Sequence, residues 1–514
     1  MRRSILRAVV LALPLAASAG ACAYSNSAIT GARRAYGYSW QQELALGRQV
    51  DADLSGEHGV YGDSALGAYV ARVGDTIVAT SHLRRPTTPL EMRGAPLTFR
   101  VLDTDVVNAF AVPGGYVYVT RGLLAHLDNE AQLAVILGHE VGHVAARHTS
   151  QQALKVQIGV LGAVAAAVLA DHAAEGSGEG VSDLAGGILK LAILGYSRGD
   201  ERESDRLGVE YATLAGYRAD EGARFFELLE MMRRQEKRRQ PEFLSSHPNP
   251  GSREATVREL AAAWAPRAPA NAEAGDSAYR GAIEGMVIGR DPRRGYAEGG
   301  VFHHPEGGFA FDLPAGWTTQ WSGARFGAEN GGTKSALVFL AAPGDSTAVE
   351  AANRWVARSS SAYRDSTLDA PAGFPAASAR ASWTVGEEEG WISTTFVEAG
   401  GRVYQLMGIA KGGYRVETDS ALAAAIRTFR VDTDPRAAAV QPMRLGFVTA
   451  DVDAPFRAFV SGPLPDGLTL EDLAMMNRVL PDDVIPAGTT LRLPRWALPS
   501  REPIGPLLPV VPRV

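Results

Sequence analysis

His139, Glu140 and His143 form an H-E-x-x-H pentad. Residues four apart on an α-helix differ by about 40° around its axis, so the two imidazoles project from one face and can grip a single metal ion. Glu140 stands about 100° from His139, beside such an ion, where its carboxylate can take a proton from a water that the metal polarises. That is metal-assisted hydrolysis with Glu140 as general base. Such a site takes a third protein ligand and leaves a fourth position for water. Between Tyr196 and Gly208, Glu201 and Asp205 share a helical face while Glu203 points roughly opposite. On that phasing Glu201 is the third ligand. Asp205, one turn on, can hydrogen-bond a ligating histidine. Arg202, Glu203 and Arg206 read as an exposed charged face. His148 lies nine residues beyond His139, about 180° round the helix, and reads as a surface histidine. His58, His82, His126, His172, His303 and His304 lack partners at ligand spacing.

The elements that must hold these groups can be read around them. Asp128 can cap a helix that begins at Asn129 and carries Leu133, Leu137, Val141 and Val144 at helical spacing. Leu97–Leu102, Asn108–Val112 and Tyr116–Thr120 read as strands, the last two joined by a turn at Pro113-Gly114-Gly115. The apolar runs Ile158–Ala170 and Gly186–Gly195 are too short to span a bilayer and read as helices packed on the core or over its cleft.

Composition bounds the rest. With 514 residues the chain should hold about three domains. A single cysteine excludes internal disulfides and cysteine-based zinc sites, so any metal must sit on His, Asp or Glu. A net charge of −6 removes the usual electrostatic support for nucleic-acid binding. Arg2, Arg3 and Arg7 precede an apolar run from Ala8 to Ala17, the pattern of an export signal over residues 1–22. The lone cysteine, Cys22, sits where a bacterial lipoprotein is cut and acylated, and cleavage after Ala19, Ala21 or Ala23 is the alternative. The expected order is then a catalytic domain over 40–264, a small-residue linker and connector helix over 265–298, and an α+β domain over 299–432. A small unit follows over 437–495, then a Pro-rich tail over 496–514.

Three motifs in order, the H-E-x-x-H pentad, the Glu201-x-x-x-Asp205 pair and the strand and turn from Asn108 to Gly115, resemble the gluzincin zinc metallopeptidase family that includes HtpX, the CAAX prenyl protease and BepA. The resemblance implies one zinc ion per chain on His139, His143 and Glu201, with Glu140 as the catalytic base. It also implies that Asn108, Ala109, Phe110, Ala111 and Val112 form an edge strand on which an extended substrate lies. Ser246-His247-Pro248 with Arg253 resembles a loop of the BepA branch in which the histidine closes onto the zinc, which makes His247 a regulatory fourth ligand. The tetratricopeptide repeats common in that branch are not visible. Residues 299–432 resemble the PsbP type of small α+β fold, and 437–495 resembles a degenerate LysM module. The whole is expected to be an α+β multidomain protein with a mainly helical peptidase domain and a short edge-strand sheet. Its expected work is hydrolysis of envelope polypeptides in the periplasm, with a lipid tether to the outer membrane if Cys22 is acylated. Two rivals stand beside it: a chaperone or assembly factor held shut by His247, and a binder of peptidoglycan through the LysM-like unit.

Overall fold

A computed structural model describes residues 23–156, 196–234 and 241–495, apart from 248–249, 323–324, 334, 343–346, 358–360, 369, 386–387 and 466. The readings placed on residues 1–22 with Cys22, on Ile158–Ala170, on Gly186–Gly195 and on 496–514 lie outside the described residues.

The first strands, β1 (Ala23–Asn26) and β2 (Arg33–Tyr36), pair with each other and lead to helices α1 (Trp40–Glu57) and α2 (Ser64–Thr80). Ser39 and Gln42 close a reciprocal capping box on α1, and the Asp63 side chain caps α2. Three strands follow: β3 (Thr98–Leu102), β4 (Ala109–Val112) and β5 (Tyr116–Thr120), the last an alternation of aromatic and β-branched residues that favours extended chain. β5 is central, with β3 parallel on one side and β4 antiparallel on the other, so β4 is an edge strand. The tight β4–β5 turn puts Gly114 and Gly115 at φ 83° and 88°, where a side chain would be strained.

After α3 (Arg121–His126) comes α4 (Glu130–Ala146), in which every residue is buried. A helix covered on all sides belongs to the interior, and α2, α5 (Arg198–Leu214) and α6 (Glu221–Arg234) pack around it. Its cap is Asn129, whose side chain accepts the Gln132 N–H. Asp128, expected to cap, instead accepts from Arg478 at 2.5 Å and Arg492 at 3.0 Å. Those arginines lie some 350 residues downstream, out of reach of local sequence reasoning. At the other end Arg147 adopts φ 58°, uncommon for a residue with a side chain. It is held there by Glu43 and by stacking 3.9 Å over Tyr36.

The chain continues through α7 (Glu242–Ser246), α8 (Pro250–Trp264) and α9 (Asp276–Ile283). The stretch between α8 and α9 has little regular structure, yet it is tied to the helical body: Ala131 N–H donates to Ala274 O and Arg218 N–H to Glu273 O. Beyond it stand a four-stranded and a seven-stranded sheet, joined by an aromatic core that includes Phe302, Phe309, Phe326 and Phe339. A long hairpin, Glu388–Ala399 with Arg402–Lys411, turns at Gly400-Gly401. Residues 444–495 form two small strand pairs around the helix Leu470–Met476, and their apolar side chains join the hydrophobic cluster of the helical body. Among the described residues, no helix is long and apolar enough to cross a membrane.

Candidate active site

The site begins with a close approach of two helices. A Cβ on Gly138 of α4 would lie 2.9 Å from Gly208 O of α5, and one on Gly208 would lie 2.9 Å from His139 N. Only glycine permits that separation. It carries the first turns of α5, with Glu201 and Asp205, directly against the H-E-x-x-H face of α4.

Four side chains converge there. His139 Nε2 lies 3.0 Å from His143 Nε2 and 3.2 Å from His247 Nδ1. Glu201 Oε1 lies 3.0 Å from His247 Nδ1 and 3.5 Å from His143 Nε2. One ligand atom from each of the four falls within 4.8 Å of every other, and all four residues are buried. Donors held about 2.0–2.1 Å from a tetrahedral ion stand about 3.3 Å apart. The observed spacings bracket that edge, and three imidazole nitrogens with one carboxylate oxygen suit zinc. Nitrogen lone pairs facing each other at 3.0 Å, away from solvent, call for a cation between them.

Each ligand is oriented from behind. His139 Nδ1 stands 3.0 Å from Asp205 Oδ1, so its Nδ1–H donates to the carboxylate and Nε2 keeps its lone pair for the metal. His143 is backed differently: its Nδ1 meets His148 Nδ1 at 2.9 Å, and His148 Nε2 meets Glu203 Oε2 at 3.1 Å. The Tyr196 ring stacks on His143 at 3.8 Å and its hydroxyl bonds Thr149. Arg253, on α8, reaches Glu201 Oε2 at 2.8 Å and Asp205 Oδ1 at 2.6 Å, clamping both carboxylates while itself buried. His247 stacks on Phe243 at 4.4 Å, and its Nε2 stands 3.6 Å from Glu140 Oε1.

Electrostatics sorts these groups by role. Burial pushes the Glu140 carboxyl above its ordinary value against the pull of His247 and His139, which strengthens it as a base. Burial would also raise Glu201, but the facing imidazoles of His247 and His143 hold it well below the carboxylate range, so it stays ionised. Burial drives His143 well below the usual imidazole value, leaving it neutral as a ligand must be. For His247 burial depresses the pKa, and the carboxylates of Glu201 and Glu140 outweigh it and raise the group.

The structure thus brings together His139, Glu140, His143, Glu201, Asp205 and His247. It places Asn108 to Val112 at the sheet edge, with Ala109, Ala111 and Val112 buried and Phe110 partly open. Two readings are corrected. His148 is buried, not on the surface, because the chain beyond Arg147 leaves the line of α4 and swings that ring behind His143. Glu203 is its partner and not part of an exposed Glu-Arg face; Arg206 pairs with Glu210 instead. Sequence reasoning assigns no role to Tyr196 or Arg253, although Arg253 belongs to the same loop motif as His247.

The description Peptidase family M48 matches residues 69–261. The chain carries an M48 peptidase domain. Relatives of that domain include the beta-barrel assembly-enhancing protease of Escherichia coli (strain K12), 30% identical over 230 residues that make up 43% of this chain and 44% of that one. The protein of the same name from Yersinia pestis is 28% identical over 244 residues, 46% of this chain and 47% of that one. The mitochondrial metalloendopeptidase OMA1 of Arabidopsis thaliana is 33% identical over 140 residues, 27% and 25% of the two chains. The match spans somewhat under half the length of the first two relatives. Besides the four candidate metal ligands and Glu140, the matched segment contains the edge strand and both arms of the support behind the histidines.

Proposed function

We propose that this protein is an exported zinc endopeptidase that hydrolyses peptide bonds of envelope polypeptides. The observation that carries the reading is the buried convergence of His139, His143, Glu201 and His247 beside Glu140. His139, His143 and Glu201 would hold the zinc, which when bound would supply Lewis acidity to polarise a scissile carbonyl and acidify water. Glu140 takes the proton of the attacking water and delivers it to the leaving amine. Asp205 and the His148–Glu203 pair fix the ligand histidines, and Arg253 pairs with Glu201 and holds it in place. An extended substrate adds to the open side of β4 by backbone hydrogen bonds.

With His247 as the fourth donor, the position that the water and the substrate carbonyl need would be filled, which supports the reading of a latched enzyme. That observation favours a second reading, a chaperone-like binder whose peptidase is kept shut. The beta-barrel assembly-enhancing proteases among the relatives make outer-membrane polypeptides the first substrates to try, and acylation of Cys22 would place the enzyme at that membrane. Zinc analysis with casein cleavage by wild type and Glu140→Gln tests the main reading: zinc in both, cleavage only in wild type. Zinc without cleavage, even after removal of the His247 side chain, would leave the chaperone reading.

A further inference from the structure

Strand β4 does not end in open solvent. The residues that lead into it, Asp105, Val106 and Val107, form one wall of a cleft of about 240 Å³. The latch-bearing segment contributes Pro241 and Glu242, and the C-terminal unit closes the far side with Leu468, Asp472 and Met476. The two walls nearly touch at one point, where a Cβ on Gly467 would lie 3.1 Å from Asp105 Oδ2. Elsewhere they stand apart around an apolar floor that includes Ala125, Met232 and Ile288. The space suits one or two side chains with their backbone, and it falls short of the usual volume of a drug-sized ligand or cofactor site.

We infer that this cleft is a second contact site for the polypeptide substrate, holding the stretch of extended chain that runs beyond the β4 edge. The inference rests on the endopeptidase reading and adds where the rest of the chain goes. Continuity is the first argument. Val107 lines the cleft and Asn108 to Val112 follow without a break, so a chain paired along β4 is delivered to the opening when it continues in the same direction. A four-residue strand spans only about 13 Å, so β4 alone can read only four or so residues of a substrate. The second argument is chemical: an apolar floor with Asp105, Glu242, Asp472 and Arg290 around it accepts an apolar side chain and leaves the flanking backbone near polar groups. The third is position. Phe243 N–H donates to Val107 O at 3.2 Å, and Phe243 stacks on His247, so the cleft borders the segment that carries the latch. The C-terminal unit thereby acquires a role in substrate contact, and the site selects polypeptides long enough to reach from β4 to Leu468.

The test uses the full chain carrying Glu140→Gln, so that binding is read without cleavage, and fluorescein-labelled, reduced and carboxymethylated α-lactalbumin as the probe. Val106→Trp, at a half-buried position, fills the cleft and should weaken binding about tenfold or more in an anisotropy titration. Glu242→Arg, at the mouth, should alter it measurably. Leu480→Trp, exposed on the same unit away from the cleft, should leave it within twofold. Thermal melts confirm that each variant is folded, and if Val106→Trp is not, Glu242→Arg and a Val106→Glu variant decide. Unchanged affinity in folded cleft variants overturns the inference. So does tighter probe binding on deletion of residues 496–514, with no further effect of Val106→Trp, because the occupant would then be the chain's own tail. A parent protein that binds the probe but, with Glu140 restored and His247→Ala introduced, never cleaves it refutes the peptidase reading and leaves the contact site standing.

Discussion

The support behind His143 can be tested quantitatively through His148. In the structure His143 Nδ1 and His148 Nδ1 are 2.9 Å apart, and both rings are almost wholly out of solvent. With His143 Nε2 facing the candidate metal position, its proton belongs on Nδ1 and His148 is the acceptor; His148 then donates from Nε2 to Glu203. His148→Ala removes that acceptor and leaves a buried N–H without a partner. Loss of such support costs about 10- to 100-fold in metal affinity, or roughly 1.4–2.7 kcal/mol. Glu203 lies one bond farther out, and its side chain is 27% exposed, so water can replace part of what it supplies. Glu203→Gln should therefore cost less, about threefold to tenfold, below the range for direct loss of support. His148→Gln offers a carbonyl oxygen where the ring nitrogen stood and should recover part of the loss. Competition against a chromophoric zinc chelator gives the affinities, with melting curves to show that the fold is retained. If folded His148→Ala binds zinc as wild type does, the relay has no bearing on the metal. Should Glu203→Gln lose as much zinc as Glu201→Gln, the assignment of ligand and support on α5 is reversed.

Other outcomes follow from the same geometry. Glu201→Gln should lose most bound zinc while Asp205→Ala loses about 10- to 100-fold in affinity, measured by the same competition. His247→Ala should keep its zinc and raise casein cleavage about tenfold or more, since a latch a few kcal/mol deep leaves roughly 0.1–10% of molecules open; abolished cleavage in a folded variant would make His247 a catalytic group. Arg253→Leu removes the partner of two buried carboxylates and should destabilise the fold by about 3–5 kcal/mol in urea titrations. Asp128 is raised by burial, but Arg478 and Arg492 outweigh it and depress its pKa. Its stabilisation is therefore complete above the unfolded carboxylate value and lost as pH falls through the folded one, so the acid side of a Tm–pH curve should flatten in Asp128→Asn below about pH 5.

What could be read in the sequence divides along physical lines. The α4 pentad was legible because helical periodicity alone puts His139 and His143 on one face, and the Glu201–Asp205 phasing held because both lie within one regular helix. His247 was legible only through its loop motif, since no periodicity relates a loop residue to a helix more than 100 residues away. His148 failed for an instructive reason: its angle was reckoned on a continued α4, whereas the left-handed Arg147 breaks that line one residue earlier. Glu203 followed it, because a charged residue opposite Glu201 reads as solvated until a buried histidine appears in front of it. The Asp128 cap failed by one residue, at the usual uncertainty of a helix end. Its true partners, Arg478 and Arg492, belong to tertiary structure alone.

Those two arginines also bear on how the molecule is divided. The unit near the C-terminus was read as an appended module, and small modules commonly bury their own apolar residues. Here Leu445, Phe456, Leu473, Met476 and Ile485 are all buried, and they belong to the same hydrophobic cluster as Leu133 and Leu137 of α4. Each such side chain is worth about 1.5–3 kcal/mol when buried, so five of them together rival the roughly 5–15 kcal/mol that holds a whole domain folded. Removing the unit would strip the cluster and also free Asp128, which stands immediately before the cap of α4. Arg121 of α3 makes a further tie, donating to Asp103 just beyond β3 and to Val287 O of the connector. Helix α4 is thus held at its N-terminal end by the most distant part of the described chain, through Arg478 and Arg492 on Asp128, Arg478 on Gln132 and the shared apolar cluster.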